Sequence, residues 1–140
     1  IEQQINNKKT TAYDYIYQKV LFLLQSNTFG TLPPDALVDL AKMAEYQKIQ
    51  PQTVITRISG NSLIPVFIIT EGTVSFNENS ERVKILSGND IISDIFIDWE
   101  IKNNQEIISL TQVGFFTIER ASFTEWLFDY YPFIQELTNE

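Results

Sequence analysis

From Tyr46 to Glu119 the chain alternates between short runs rich in Ile, Val, Phe and Thr and small clusters of turn-forming residues, and this rhythm restricts its fold more than any other feature. The clusters are Gln50-Pro51-Gln52, Ser59-Gly60-Asn61, Glu71-Gly72, Glu78-Asn79-Ser80, Ser87-Gly88-Asn89-Asp90 and Lys102-Asn103-Asn104. A spacing of about 7 to 12 residues between turn signals is that of a β-sandwich or barrel. Strands are predicted over 54–58, 64–70, 73–77, 82–86, 105–110 and 115–119. Arg82-Val83-Lys84-Ile85 alternates polar with apolar, which predicts a half-buried strand.

The flanks have helical periodicity instead. Tyr13, Ile16, Tyr17, Val20 and Leu24 share one face at i, i+3, i+4 spacing. Ser26-Asn27-Thr28 is expected to stop that helix, and Phe29-Gly30-Thr31-Leu32 to turn the chain. Pro33-Pro34-Asp35 opens a second helix, with Pro34 suited to its first position and Asp35 favourable to its dipole. Leu37, Leu40, Ala41 and Ala44 form its apolar face. Near the end, Ser122 and Glu125 have the spacing of a capping box before Trp126, Leu127 and Phe128. Pro132 breaks that helix, and Phe133, Ile134 and Leu137 begin another. The expected organisation is a flexible segment over 1–12 and one domain over 13–140. The domain comprises helices over 13–45, a β-roll over 46–119 and helices over 122–140. The first residue is Ile1 and not Met, which suggests a piece of a longer polypeptide.

Composition excludes several functions. The 140 residues include 44% hydrophobic residues, enough for a packed core. The longest apolar run, from Val20 to Leu24, is far short of the roughly 18 residues of a membrane span. No signal peptide is visible, so a cytoplasmic location is expected, with or without attachment to a membrane protein. A net charge of −8 argues against nucleic acid and anionic membrane as direct partners. Cysteine and histidine are both absent. That removes disulfides, thiol chemistry, the commonest metal ligand and the usual general base of hydrolytic triads. Asp90, Asp94 and Asp98 have the i, i+4 spacing of one helical face. A solvated acidic face explains them better than a carboxylate-only metal site, and no metal is expected.

Several segments, taken in order, resemble the cyclic-nucleotide-binding domain family. They are Val20-Leu21-Phe22-Leu23, the stretch from Phe29 to Leu37, Ile49-Gln50-Pro51-Gln52-Thr53-Val54-Ile55, the stretch from Val66 to Val74, Ile85-Leu86-Ser87-Gly88-Asn89-Asp90, and Val113 to Trp126. Gln52 stands where the family usually has glycine. The resemblance covers roughly residues 20 to 138. It implies a mainly β fold with flanking helices, a double-stranded β-helix or jelly-roll barrel. Gly72 and Gly88 are each expected to supply a positive φ at a turn.

In that family a short cassette between two strands holds the cyclic phosphate with helix N–H groups and an arginine, and the ribose with a glutamate. The matching stretch here runs from Asp90 to Asn104. The resemblance assigns ligand-facing positions to Gly88, Ile92, Ser93, Asp94, Lys102 and Asn103. Ile92-Ser93-Asp94 stands in place of Phe-Gly-Glu, and Asn103 falls near the arginine position. The chain's arginines are Arg57, Arg82 and Arg120, none of them in the cassette. Asp90, Asp94, Asp98 and Glu100 against Lys102 leave the cassette near −3. A phosphate about 4 Å from an unpaired carboxylate meets roughly 4 kcal/mol of repulsion at an effective dielectric of about 20. The missing arginine forfeits about 1.5 to 3 kcal/mol more. Phe96 and Trp99, in an apolar stretch, are expected to plug the pocket, or else to form a contact surface with Trp99 as anchor.

The expected function is therefore a non-catalytic regulatory or interaction module, without cofactor and unable to hold cyclic AMP or cyclic GMP tightly. Its expected partners are other domains of the same polypeptide, such as a transporter or regulator, or a separate protein. A homodimer through the helices is a further possibility. The alternative is a sensor that binds a cyclic nucleotide or another small molecule in a divergent pocket.

Overall fold

Tyr15 opens helix α1, Ile16–Gln25, and its N–H would have no helical partner. The Gln18 side chain supplies one, accepting that N–H at 2.8 Å. The helix ends at Ser26, whose hydroxyl accepts the N–H groups of Thr28 and Phe29. The computed structural model describes residues 13–26, 28–58, 64–93 and 104–130. The chain divides into two units, Ile1–Lys42 and Met43–Glu140. Within the first, the apolar face expected for α1 is not the buried one. Ile16, Tyr17 and Leu24 are exposed, while Leu23 is buried. Apolar residues surround this helix on several sides, so periodicity did not single out the face that packs. Helix α2, Pro34–Met43, behaves as expected: Pro34 starts it, Asp35 lies in its first turn and Lys42 in its last. Leu37, Leu40 and Ala41 are fully buried, as is Ala36.

The second unit holds eight described strands. These are β1 (Glu45–Ile49), β2 (Val54–Ile58), β3 (Val66–Glu71), β4 (Thr73–Glu78), β5 (Glu81–Ser87), β6 (Ile91–Ile92), β7 (Gln105–Ser109) and β8 (Val113–Ile118), followed by helix α3 (Arg120–Asp129). They form two antiparallel four-stranded sheets, β1-β8-β3-β6 and β2-β7-β4-β5. One apolar cluster includes Phe67, Ile69, Val113 and Phe115 of the first sheet and Ile58, Val74, Phe76, Leu86 and Ile107 of the second. The turn rhythm points to a sandwich or barrel and the resemblance to a jelly roll, and the two packed sheets agree with both.

Three local expectations change. Residues 45–49 form a strand where the helices were expected to reach residue 45. Glu45 to Ile49 show no alternation, and β1 exists because it pairs residue for residue with β8. In β5, Val83 and Ile85 are exposed, and Leu86 is the residue that enters the core. This strand lies at a sheet edge, so its alternation marks the outer side. Helix α3 starts at Arg120, so Ser122 lies inside its first turn and is not its cap; Glu119 takes that place without a side-chain bond. Phe123 and Trp126 are buried with ring centroids 5.5 Å apart. Pro132 and the helix expected after it lie outside the described residues.

The turns explain how one chain builds both sheets. β3 lies in the first sheet and β4 in the second, joined only by Gly72 at φ +90°. A Cβ there would collide with the Gln112 carbonyl oxygen and lie 2.9 Å from Val113 Cα. Gly88 differs from the expectation: its φ is not positive, a Cβ would meet only the Thr70 carbonyl at 3.5 Å, and Asn89 takes the left-handed position at φ 74°. Gln52, at the position where the resembling family has glycine, is itself left-handed at φ 61°. Ser109 is fully buried beside it. Its hydroxyl donates to the Gln50 carbonyl at 2.6 Å and accepts the Thr53 N–H at 2.9 Å.

Two outcomes are expected from chemical denaturation. Gly72→Ala combines a forbidden φ with a backbone collision and should lower stability by about 2–4 kcal/mol, whereas Gly88→Ala should stay within about 0.5 kcal/mol. Ser109→Ala leaves a part-buried N–H and a carbonyl without their shared partner and should cost about 0.5–1.5 kcal/mol. Equal effects of the two glycine substitutions would contradict the strain assigned to Gly72.

Candidate functional site

The approach to the cassette is a tight turn. Ser87 ends β5, and its N–H donates to the Asp90 carboxylate at 2.8 Å, while the Asp90 N–H donates to the Ser87 carbonyl at 3.0 Å. The Asn89 N–H donates to the Ile69 carbonyl, and the Ile69 N–H to the Asp90 carbonyl. The turn is thereby fastened to β3, and Asp90 serves it as a backbone acceptor. β6 then pairs Ile91 with Ile68 and Ile92 with Phe67. Ile92 is packed in the apolar cluster, and Ser93 is fully buried. Asp94, Phe96, Trp99, Lys102 and Asn103 lie outside the described residues. Asn104, just before β7, has φ 65°, and its carbonyl accepts the Asn79 N–H at 2.9 Å. Residues 94–103 therefore connect β6 of the first sheet to β7 of the second. Of the ligand-facing positions implied by the resemblance, three are described: Gly88 in the turn after β5, Ile92 in β6 and Ser93 directly after it.

All three arginines of the chain are described, and each is engaged away from this turn. Arg57 Nε lies 3.6 Å from the Glu106 carboxylate. Arg82 Nε donates to the Ser75 hydroxyl at 3.3 Å. Arg120 donates to the Thr124 hydroxyl one helical turn later. Lys102 is the lone cation between Gly88 and Asn104 in the sequence.

Two polar groupings escaped the reading of the sequence. On the first sheet the Tyr46 hydroxyl donates to the Glu71 carboxylate at 3.0 Å, with Lys48 Nζ 3.8 Å from the same oxygen. Gly114 makes room for it, since a Cβ there would lie 2.9 Å from both Glu71 Oε1 and Thr70 Oγ1. A bulge after Ile69 sets Glu71 opposite Gly114. On the second sheet Ser75, Asn77 and Arg82 meet across a bulge between β4 and β5. Strand alternation is the only signal available for such groupings, and a bulge reverses it. Among the described residues no helix is long and apolar enough to cross a membrane.

No protein-family model and no curated protein sequence matches the chain. Solved structures do. The regulatory subunit of a cAMP-independent protein kinase A from Trypanosoma brucei aligns over 94% of this chain and 50% of its own, with 18% identity and a TM-score of 0.72. Its counterpart from Trypanosoma cruzi, bound to guanosine, aligns over 94% and 48%, with 18% identity and a TM-score of 0.70. The regulatory domain of Toxoplasma gondii protein kinase A with cAMP aligns over 97% and 51%, with 12% identity and a TM-score of 0.70. The chain spans about half the length of these structures. With two opposed antiparallel sheets around one core, helices before them and a helix after, the chain has the jelly-roll fold of the cyclic-nucleotide-binding domains.

Proposed function

We propose that the chain is a non-catalytic regulatory module that acts through contacts with other domains or a protein partner, and that it does not hold cyclic AMP or cyclic GMP tightly. The observation that carries this reading is the placement of the arginines. With Arg57, Arg82 and Arg120 each engaged elsewhere, a cyclic phosphate in the cassette has Lys102 as its one nearby cation in the sequence. A lysine offers a point charge but not the planar fork that grips two phosphate oxygens. Ser93 adds a side chain where the family's glycine lets the phosphate approach.

A second reading has support of its own. A neighbour of the same fold is described as bound to guanosine, a nucleoside without a phosphate. An uncharged ligand would meet none of the repulsion that the cassette's carboxylates impose on a phosphate. Under this reading the module is a sensor for a neutral small molecule.

Thermal denaturation separates these possibilities. Millimolar cyclic AMP or cyclic GMP is expected to leave the midpoint unchanged. A ligand at 100 times its dissociation constant would add about 2.7 kcal/mol, a shift of several degrees. Stabilisation by micromolar cyclic nucleotide would overturn the first reading, and stabilisation by guanosine alone would favour the second. The double variant Ser93→Gly, Asn103→Arg, which restores the family's phosphate-binding residue types, should tighten cyclic AMP binding by at least about tenfold.

A further inference from the structure

Strict alternation would place Arg82, Lys84 and Leu86 on one face of β5. The bulge prevents this, because Lys84 pairs with Phe76 while Arg82 pairs with the very next residue, Asn77. Arg82 is thereby turned to the face that carries Ser75 and Asn77, opposite the core side chains of Val74 and Phe76. On that outer face a row crosses the whole sheet: Arg57, Glu106, Asn77, Arg82. Two of the chain's three arginines stand in it.

The two arginines differ. Arg57 is paired with the Glu106 carboxylate. Arg82 has no carboxylate partner among the described residues; its Nε donates to Ser75 Oγ. That hydroxyl donates in turn to Asn77 Oδ1, and Ser75 is only 2% exposed. A buried serine thus aims the guanidinium and leaves its two terminal nitrogens without an acceptor among the described residues. Arg82 and Ser75 help line a cavity of about 300 Å³ together with the polar Gln52, Asn77 and Ser80 and the apolar Ile108 and Leu110. This is the lower end of the size range of small-molecule sites, and a forked guanidinium over such a cavity is matched to a planar or tetrahedral oxyanion.

We propose that this cavity binds a small ligand bearing one carboxylate or phosphate group, gripped by the terminal nitrogens of Arg82, with its apolar part against Ile108. Glu106 is balanced by Arg57, so the row has a surplus of one positive charge. Glu78 and Glu81 face each other one step along the hairpin. Being the next pair along, they fall on the opposite face of the sheet from Arg82. The site is on the outside of the second sheet and does not use the cassette.

The test is a backbone-amide NMR titration of the chain with two probes, inorganic phosphate and butyrate, against sodium chloride at equal ionic strength. Saturable shifts are expected at the amides of Ser75, Asn77, Ser80 and Arg82 with at least one probe. Phosphate alone would assign a phosphorylated ligand, and butyrate alone a carboxylate. Arg82→Gln should weaken binding at least about tenfold, and Ser75→Ala, which keeps the charge but loses its aim, about threefold. Arg82→Lys serves where the glutamine variant fails to fold, since it keeps the charge and loses the fork. No saturable shift from either probe, or unchanged affinity in the Arg82 variants, would overturn the proposal.

Discussion

Three crossings between the two sheets meet at one end of the roll, and the rest of the second unit depends on how they are fastened. The β3–β4 crossing is the single residue Gly72, pressed against the Gln112 carbonyl of the β7–β8 crossing. Leu110 donates to the Thr73 carbonyl, and the Thr111 hydroxyl accepts the Thr73 N–H. The β1–β2 crossing is held by Ser109, which bonds both Gln50 and Thr53. Backbone groups at a corner have no ladder partner, and here they find partners in one another's loops. Once the corner is set, the apolar faces of both sheets oppose each other and close the core.

Against that shared frame, departures from regular pairing are where polar chemistry collects. Bulges in β3 and between β4 and β5 each turn a charged side chain away from the core face that strict alternation would give it. Glu71 comes to lie over Gly114 with Tyr46 and Lys48, and Arg82 comes to lie on Ser75 with Asn77. The cassette stretch works differently. Its approach is fastened by the Asp90 carboxylate and by β3, and it leads into the core through Ile92 and the buried Ser93. A turn acid that spends its carboxylate on a backbone N–H is part of the scaffold. The approach to the stretch is thus built into the sheets, and the three guanidinium groups are engaged elsewhere.

Much of this architecture was legible from residue order. The turn rhythm located β2 outright and β3, β4, β5, β7 and β8 to within a few residues, because a half-buried strand must alternate and a sheet must turn at Gly, Asn and Pro. Helix α2 was legible because Pro34 and the Leu37, Leu40, Ala41 stripe agree. β1 was not legible, because only its pairing with β8 makes it a strand. β6 is two residues long, too short to hold a period. Of the candidate ligand positions, Ile92 could be placed only by the cluster around it.

What the sequence by itself determined is the rhythm of strand and turn, the absence of histidine and cysteine chemistry, and the lack of an arginine in the cassette. These are properties of residue type and order, and no packing can change them. What only the tertiary structure decided is which face each side chain takes. A single bulge shifts the pairing by one residue and sends Arg82 to the far side of its sheet, and that shift depends on partners many residues away along the chain.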